Sequence, residues 1–138
     1  MDLAAINEKV IHDFRAGGEI GVRGMHRERM LLLTTIGRAS GRPRTAPMMF
    51  VRDGDGILVV ASANAAPRDP HWVLNVVADP RVHVELPDAE WDGSAAVLDG
   101  ARREAAWVRV LERAPFFADH QAKVARRLPV VELTPDAG

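Results

Sequence analysis

The sequence predicts an α+β fold, a mostly antiparallel six-stranded sheet curled toward a barrel, with an N-terminal helix and short flanking helices. Three observations lead there. Short apolar and β-branched runs recur at Met30–Ile36, Arg44–Val51, Ile57–Ala61, Arg81–Leu86, Trp91–Ala101 and Pro129–Leu133. Asp53-Gly54-Asp55-Gly56 reads as a hairpin turn, so Met30–Ala61 reads as an antiparallel meander. Helical periodicity is confined to the start of the chain and to the stretches between later strands. With 138 residues, the chain is the length of a single domain, 1–138, able to bury a core without staples.

Each element has a local cause. Leu3, Ile6, Val10 and Phe14 fall at helical spacing, so residues 1–16 form an amphipathic helix stopped by Gly17 and Gly18. A loop comes next, with Gly21, Gly24, Met25 and His26 before the first strand. Pro47 within the second strand marks an edge or a bulge, because proline donates no ladder hydrogen bond. Asp69-Pro70 announces a helix over His71–Ala78, with Asp69 at the cap, and Trp72 and Asn75 share one face of it. Val82, Val84 and Leu86 alternate with Arg81, His83 and Glu85, which places His83 in solvent. Arg102–Leu111 and Phe117–Leu128 read as helices, and residues 134–138 as a frayed tail.

Composition excludes several classes. Eighteen basic and nineteen acidic side chains leave a net charge of -1, and Trp72 and the phenylalanines do not interleave with a basic stripe, so nucleic acid is not the expected partner. Absence of cysteine removes disulfides and thiolate chemistry and suits a reducing cytosol. The N-terminus lacks a secretory pattern, and no apolar run is long enough to span a membrane. A cytoplasmic location is expected. The first helix offers peripheral contact with the inner face of the plasma membrane, which Asp2, Glu8 and Asp13 oppose on anionic lipid.

The stretch Thr34–Pro47 sets the expectation for function. Gly37 and Gly41 bracket a turn bearing Arg38, Ser40, Arg42 and Arg44, with no carboxylate from Leu31 to Arg52. Guanidinium forks, a hydroxyl and exposed N–H groups suit phosphate or carboxylate. A solvated, merely basic hairpin tip is the alternative. His12, His26, His71, His83 and His120 are scattered without metal-site spacing, no metal is expected, and no nucleophile or nucleotide-binding motif is present. A site-bearing domain without its own nucleophile or metal points to chemistry carried by a cofactor.

Thr34-Thr35-Ile36-Gly37-Arg38-Ala39-Ser40-Gly41, then Arg44, Pro47-Met48, Ala61-Ser62, Pro70-His71-Trp72-Val73-Leu74-Asn75 and Asp79-Pro80, resembles the deazaflavin (F420)-dependent nitroreductase family of split-barrel flavin and deazaflavin oxidoreductases. The resemblance is close over Met30–Leu86 and looser beyond. It implies a split β-barrel of the FMN-binding type that holds coenzyme F420, whose phosphate and polyglutamate tail give the basic turn its anion. Carried over by position, Arg38, Ala39, Ser40 and Arg44 hold that tail, with Ala39 offering only backbone. Thr45, Ala46 and Pro47 line the adjoining groove, and Val60, Ala61, Ser62 and Ala63 face the ring, beside Trp72 and Asn75. Trp72 reads equally well as core, and a buried Asn75 needs partners from cofactor or protein.

The resemblance also has gaps. Alanine stands at 39 and 63 where relatives carry lysine, and Asn64-Ala65 replaces a glycine pair; Arg42 and Arg68 are the available substitutes for charge. Substrate-lining tyrosines of the archetype fall on Ala114, Phe117 and His120, which weakens a specific expectation of nitroimidazole reduction. Expected overall is an F420-dependent reductase passing a hydride to a quinone, an activated alkene or a nitro compound. Met25, His26, Phe116 and Phe117 stand on the substrate side, and His120 is a candidate proton donor. The alternatives are an FMN-dependent oxidoreductase on the same fold and a non-catalytic F420 or fatty-acid carrier.

Overall fold

Met30-Leu31-Leu32-Leu33 is apolar at every residue rather than alternate ones, and the fold accounts for this by covering both faces of the strand. Leu31 and Leu33 face the interior of the curled sheet, whereas Met30 and Leu32 lie under the first helix against Val10, Phe14 and Ile20. Burying each leucine is worth about 1.5–3 kcal/mol. In the computed structural model, residues 3–54, 56–63 and 65–136 are described. The elements are α1 (Leu3–Ala16), β1 (Met30–Ile36), β2 (Pro43–Met49), β3 (Val51–Asp53), β4 (Gly56–Val60), α2 (His71–Ala78), β5 (Arg81–Glu85), β6 (Glu90–Val97), α3 (Gly100–Arg113), α4 (Phe116–Ala122) and β7 (Val130–Pro135). A single 3-10 turn, Arg27–Arg29, precedes β1.

The strands form one antiparallel sheet in the order β2-β1-β5-β6-β7-β4-β3. Its curl brings β2 back against β4, giving the half-barrel. Three cores result. The barrel interior packs Leu31, Leu33, Ile57, Val59, Val84, Val131 and Leu133 with Val76 of α2. Outside, α3 and α4 cover Leu58, Val60 and Val130 through Val110, Ala114 and Phe117. The third core lies between α1 and the outer face of β1. Val10 and Phe14 of the apolar stripe of α1 are buried there, with Ile6 and Ile11 partly buried beside them. Among the described residues, no helix is long and apolar enough to cross a membrane.

Several expectations need correction. The sheet has seven strands rather than six: after β2 the chain breaks at Phe50, whose N–H bonds Arg29 O at 3.2 Å, and crosses to the far edge, where β3 pairs with β4. Met30–Ala61 is thus two hairpins on opposite edges, not a continuous meander. Pro47 does lie on an edge strand. The strand expected over Trp91–Ala101 ends at Val97, and α3 takes over from Gly100. The last helix stops at Ala122, and Gln121 secures the segment leading to β7, its Nε2 donating to Arg126 O and its Oε1 accepting from Leu128 N–H, both at 2.8 Å. Thr134 and Pro135, assigned to a frayed tail, pair with Ser94 and Gly93 in β7. Met1, Asp2, Asp55, Asn64, Ala137 and Gly138 lie outside the described residues, and with them the Asp2 charge, the Asn64 departure and the end of the expected tail.

Two polar assignments also change. Asp69 does not cap α2; Pro70 occupies that position without a side-chain bond, and the Asp69 carboxylate meets Arg126 at 2.6 Å. His83 is not simply solvated. Its Nδ1 and Nε2 each lie 2.7 Å from a carboxylate, of Asp92 and Glu90 respectively, and the Asp92 hydrogen bond leads in raising its pKa above the usual histidine value. These pairings lie on the strand face away from the apolar interior.

Gly93 has a steric role in this sheet. A Cβ there would run into the Thr134 carbonyl of β7 and approach the Trp91 ring to 2.8 Å. Gly93→Ala should therefore destabilise the protein by about 1–3 kcal/mol, the usual cost of overpacking, read as a lowered midpoint in urea unfolding.

Candidate cofactor and substrate site

The β1–β2 connection is shaped by its own backbone. Gly37 N–H bonds Arg42 O and Gly41 N–H bonds Gly37 O, both at 2.8 Å, and Ser40 Oγ accepts Arg42 N–H at 3.2 Å. A Cβ on Gly37 would sit 2.7 Å from Ser40 Oγ, and Gly41 has φ +71°, so both glycines are required by the turn. Ala39, Ser40, Arg42 and Arg44 are exposed on it. Elsewhere arginines meet carboxylates, as Arg15 does Glu85, Arg81 does Asp79 and Arg109 does Asp53. Among the described residues no carboxylate neutralises Arg38, Arg42 or Arg44.

Asn75 holds this turn against the fold. Its amide is 4% exposed. Nδ2 donates to Thr35 Oγ1 at 3.0 Å, while Oδ1 accepts from Arg38 N–H at 3.2 Å and from Arg38 Nη1 at 3.1 Å. Arg38 Nη2 also lies 3.4 Å from His71 Nδ1. The partners a buried Asn75 needs are thus supplied by protein. Thr34 and Thr45 hydroxyls bond across the β1–β2 pair at 2.8 Å.

A cavity of about 670 Å3 is bordered by the far half of β2 and by α2, within the ~300–1,000 Å3 span of small-molecule sites. Pro47 of β2, Val60 at the end of β4, Ser62 and Ala63 after it, and Trp72 of α2 line it. Met25 and His26 from the loop after α1, and Phe116, Phe117 and His120 from α4, line it as well. Every residue expected on the substrate side therefore shares one cavity with five of those expected beside the cofactor. Arg38, Ser40 and Arg44 do not line it, and α2 is the element common to the turn and the cavity, since His71 and Asn75 touch Arg38 while Trp72, half-buried against the barrel core, lines the cavity. Ala39, Thr45, Ala46, Ala61 and Asn75 do not line it, Ala61 being 1% exposed.

The cavity wall is fastened at both ends. Asp13 Oδ2 accepts Gly21 N–H at 2.9 Å, a bond that holds the carboxyl below its ordinary pKa, and Arg27 Nε donates to Phe14 O at 3.2 Å while stacking on the Phe14 ring. These contacts tie the glycine-rich loop to α1. On the other side Ser62 Oγ lies 2.5 Å from His120 Nδ1 and accepts Ala65 N–H at 3.1 Å. The His120 ring stands edge-on to Phe116 and Phe117, at 5.5 and 5.6 Å between centroids.

Sequence reasoning missed several contributors. Met30 and Met49 join Met25 and Met48, so four polarisable thioethers line the cavity, with Ile6, Val22, Arg23 and Arg29. Arg126 was also missed: it donates Nη2 to Ser62 O and Nε to Ala66 O, both at 2.9 Å. Nothing in Arg126-Arg127 distinguishes the two residues before the chain is folded.

The curled antiparallel half-barrel is of the split-barrel type, and it carries a basic turn and a partly apolar cavity. The chain belongs to the F420H(2)-dependent quinone reductase family, whose model matches residues 6–135. An F420H(2)-dependent quinone reductase of Mycobacterium tuberculosis H37Rv is 34% identical over 120 residues, covering 85% of this chain and 80% of that protein. Two solved structures are similar at this level. An F420-H2 dependent reductase, FDR-A, is 35% identical with a TM-score of 0.70, covering 80% of this chain and 99% of its own. A protein described as a domain-swapped dimer is 34% identical with a TM-score of 0.72, covering 91% and 94%. The chain is accordingly an oxidoreductase of a family that uses F420, and the split-barrel expectation holds. The FMN alternative gains no support from these comparisons.

Asn75→Ala should leave the buried Thr35 hydroxyl and the Arg38 N–H without their partner. The expected loss is about 1–3 kcal/mol of unfolding free energy, measured by chemical denaturation. An unchanged midpoint would mean that the turn holds its shape without this amide.

Proposed function

We propose that this chain reduces a quinone with F420H2, gripping the cofactor's phosphate and glutamate tail through Arg38, Ser40 and Arg44 and receiving ring and acceptor in the cavity bordered by α2. Nitro compounds and activated alkenes, electron-poor in the same way, are secondary acceptors. The observation that carries the reading is the set of unneutralised guanidinium groups on a turn that shares α2 with the cavity. Such groups offer paired donors to phosphate and carboxylate oxygens. Arg38 has its guanidinium pre-oriented by Asn75, so less freedom is lost when an anion arrives. Arg42 is exposed on the same turn and supplies charge that Ala39 does not.

When bound, reduced F420 supplies a hydride and is oxidised, and a quinone that takes up that hydride with one proton becomes a quinol. The chain's own share is placement and proton supply. Pro47, Val60, Ala63 and Trp72 give flat and apolar walls, and the methionines adapt to ring-shaped acceptors. Holding two reactants in contact geometry lowers the barrier without a covalent step. His120 lines the cavity and is bonded to Ser62, so the pair can pass a proton to an acceptor oxygen and recover one from solvent. Asn75, with its amide engaged by Thr35 and Arg38, acts by positioning Arg38.

Fluorescence titration of F420 into Arg38→Ala, Arg44→Ala and His120→Gln separates grip from proton supply. Each arginine variant should raise the dissociation constant about tenfold to a hundredfold, the worth of a charge-assisted hydrogen bond. His120→Gln should leave it within about twofold while lowering turnover of menadione. Wild-type affinity in both arginine variants would overturn the anchor assignment.

A further inference from the structure

Ser62 and His120 are 58 positions apart in the chain, and their bond requires two backbones to be held at a fixed separation. The Ser62 side of this arrangement is held only in part by its own turn, in which Ala66 N–H reaches Ser62 O and Ala63 O, both at 3.2 Å. It leaves β4 into an irregular segment where Ala63 and Ala65 take φ +48° and +61°, the left-handed region that L side chains rarely adopt. Such a segment persists only where its surroundings impose it. Arg126 is the surrounding group with the required reach. Its guanidinium bonds Ser62 O, Ala66 O and Asp69 Oδ1, spanning the whole segment, and its side chain is 14% exposed. The Arg126 carbonyl is in turn held by Gln121 Nε2 on α4, next in sequence to His120. A closed circuit results: Ser62 to Arg126, Arg126 to Gln121, Gln121 to His120, and His120 back to Ser62.

We propose that Arg126 is the positioning residue of the Ser62–His120 pair: its guanidinium holds the Ser62 segment, its main-chain carbonyl is tied through Gln121 to α4, and the one residue thereby fixes the separation of the backbones that carry Oγ and Nδ1. The inference rests on the reading of that pair as the proton supply, and extends it to a residue that touches neither substrate nor cofactor. Arg126 is not a further tail anchor, because its donors are directed at two carbonyls and a carboxylate of the protein. Lysine cannot replace it: a single ammonium has no fork to reach both carbonyls and Asp69 together.

The test compares Arg126→Gln and Arg126→Lys with wild type and with His120→Gln, using two readouts. The first is the 15N resonance of His120 Nδ1 in the cofactor-free protein, set against that of exposed His12. Wild type should show a His120 signal displaced from the His12 position, and both Arg126 variants should move it toward His12. The second is steady-state turnover of menadione by the F420-loaded enzyme. Here kcat should fall about tenfold or more in both variants, with the menadione KM and the F420 dissociation constant within about twofold of wild type. Arg126→Lys keeps the charge beside Asp69 and guards against simple misfolding, which thermal unfolding reports. A wild-type His120 resonance and wild-type kcat in folded Arg126→Lys would overturn the inference while leaving the proton reading intact. An unchanged kcat in His120→Gln, with the His120 resonance moved toward His12 in the Arg126 variants, would instead remove the proton reading and leave Arg126 a purely structural clamp.

Discussion

One buried amide links the parts of this molecule that matter for its chemistry. Asn75 is removed from water, so its donor and acceptor must find partners within the fold. It finds them in three places at once: a β1 hydroxyl, the backbone of the basic turn and the guanidinium of Arg38. The sheet, the turn and α2 consequently move as one body. A cluster of like charges at a hairpin tip would otherwise splay into solvent, where each guanidinium is screened and loses rotamer freedom on binding. Arg38 is anchored by Asn75, whereas among the described residues no carboxylate meets Arg42 or Arg44.

The opposite side of the cavity obeys a different rule. The segment after β4 contains two non-glycine residues at positive φ, and α4 ends before the chain reaches β7. Neither piece is regular, so hydrogen bonds from side chains supplement backbone turn bonds such as Ala66 N–H to Ser62 O and Val124 N–H to Gln121 O. Arg126 and Gln121 provide those side-chain bonds. The result is a site with one wall set by sheet register and another set by side-chain bonds, with methionines and aromatic rings between.

Much of this was legible in the sequence, and the remainder was hidden for physical reasons. The apolar run of β1, the edge position of Pro47 and the glycines of the basic turn come from local rules that act within a few residues. All five substrate-side residues, Met25, His26, Phe116, Phe117 and His120, do meet in one cavity. The seventh strand escaped because Arg44–Val51 is one apolar run, and only the far partner β4 decides that Val51–Asp53 leaves the hairpin. Asp69 failed as a cap because Arg126 competes for its carboxylate from 57 residues away. His83 was read as solvated because Glu90 and Asp92 lie on the next strand, beyond what alternation within one strand reveals. Asn75 was rightly singled out, but whether it met ligand or protein depended on the position of Arg38, which no spacing rule fixes.

The central claim is that an uncompensated guanidinium cluster captures the charged tail of F420 and thereby places its ring in the cavity. Isothermal titration of F420 against the same deazaflavin lacking phosphate and glutamates, each at low and high salt, measures that grip directly. The account predicts that the intact cofactor binds at least about a hundredfold more tightly, and that this advantage shrinks as salt screens the turn. Equal affinities for the two molecules, or an advantage indifferent to salt, would contradict it.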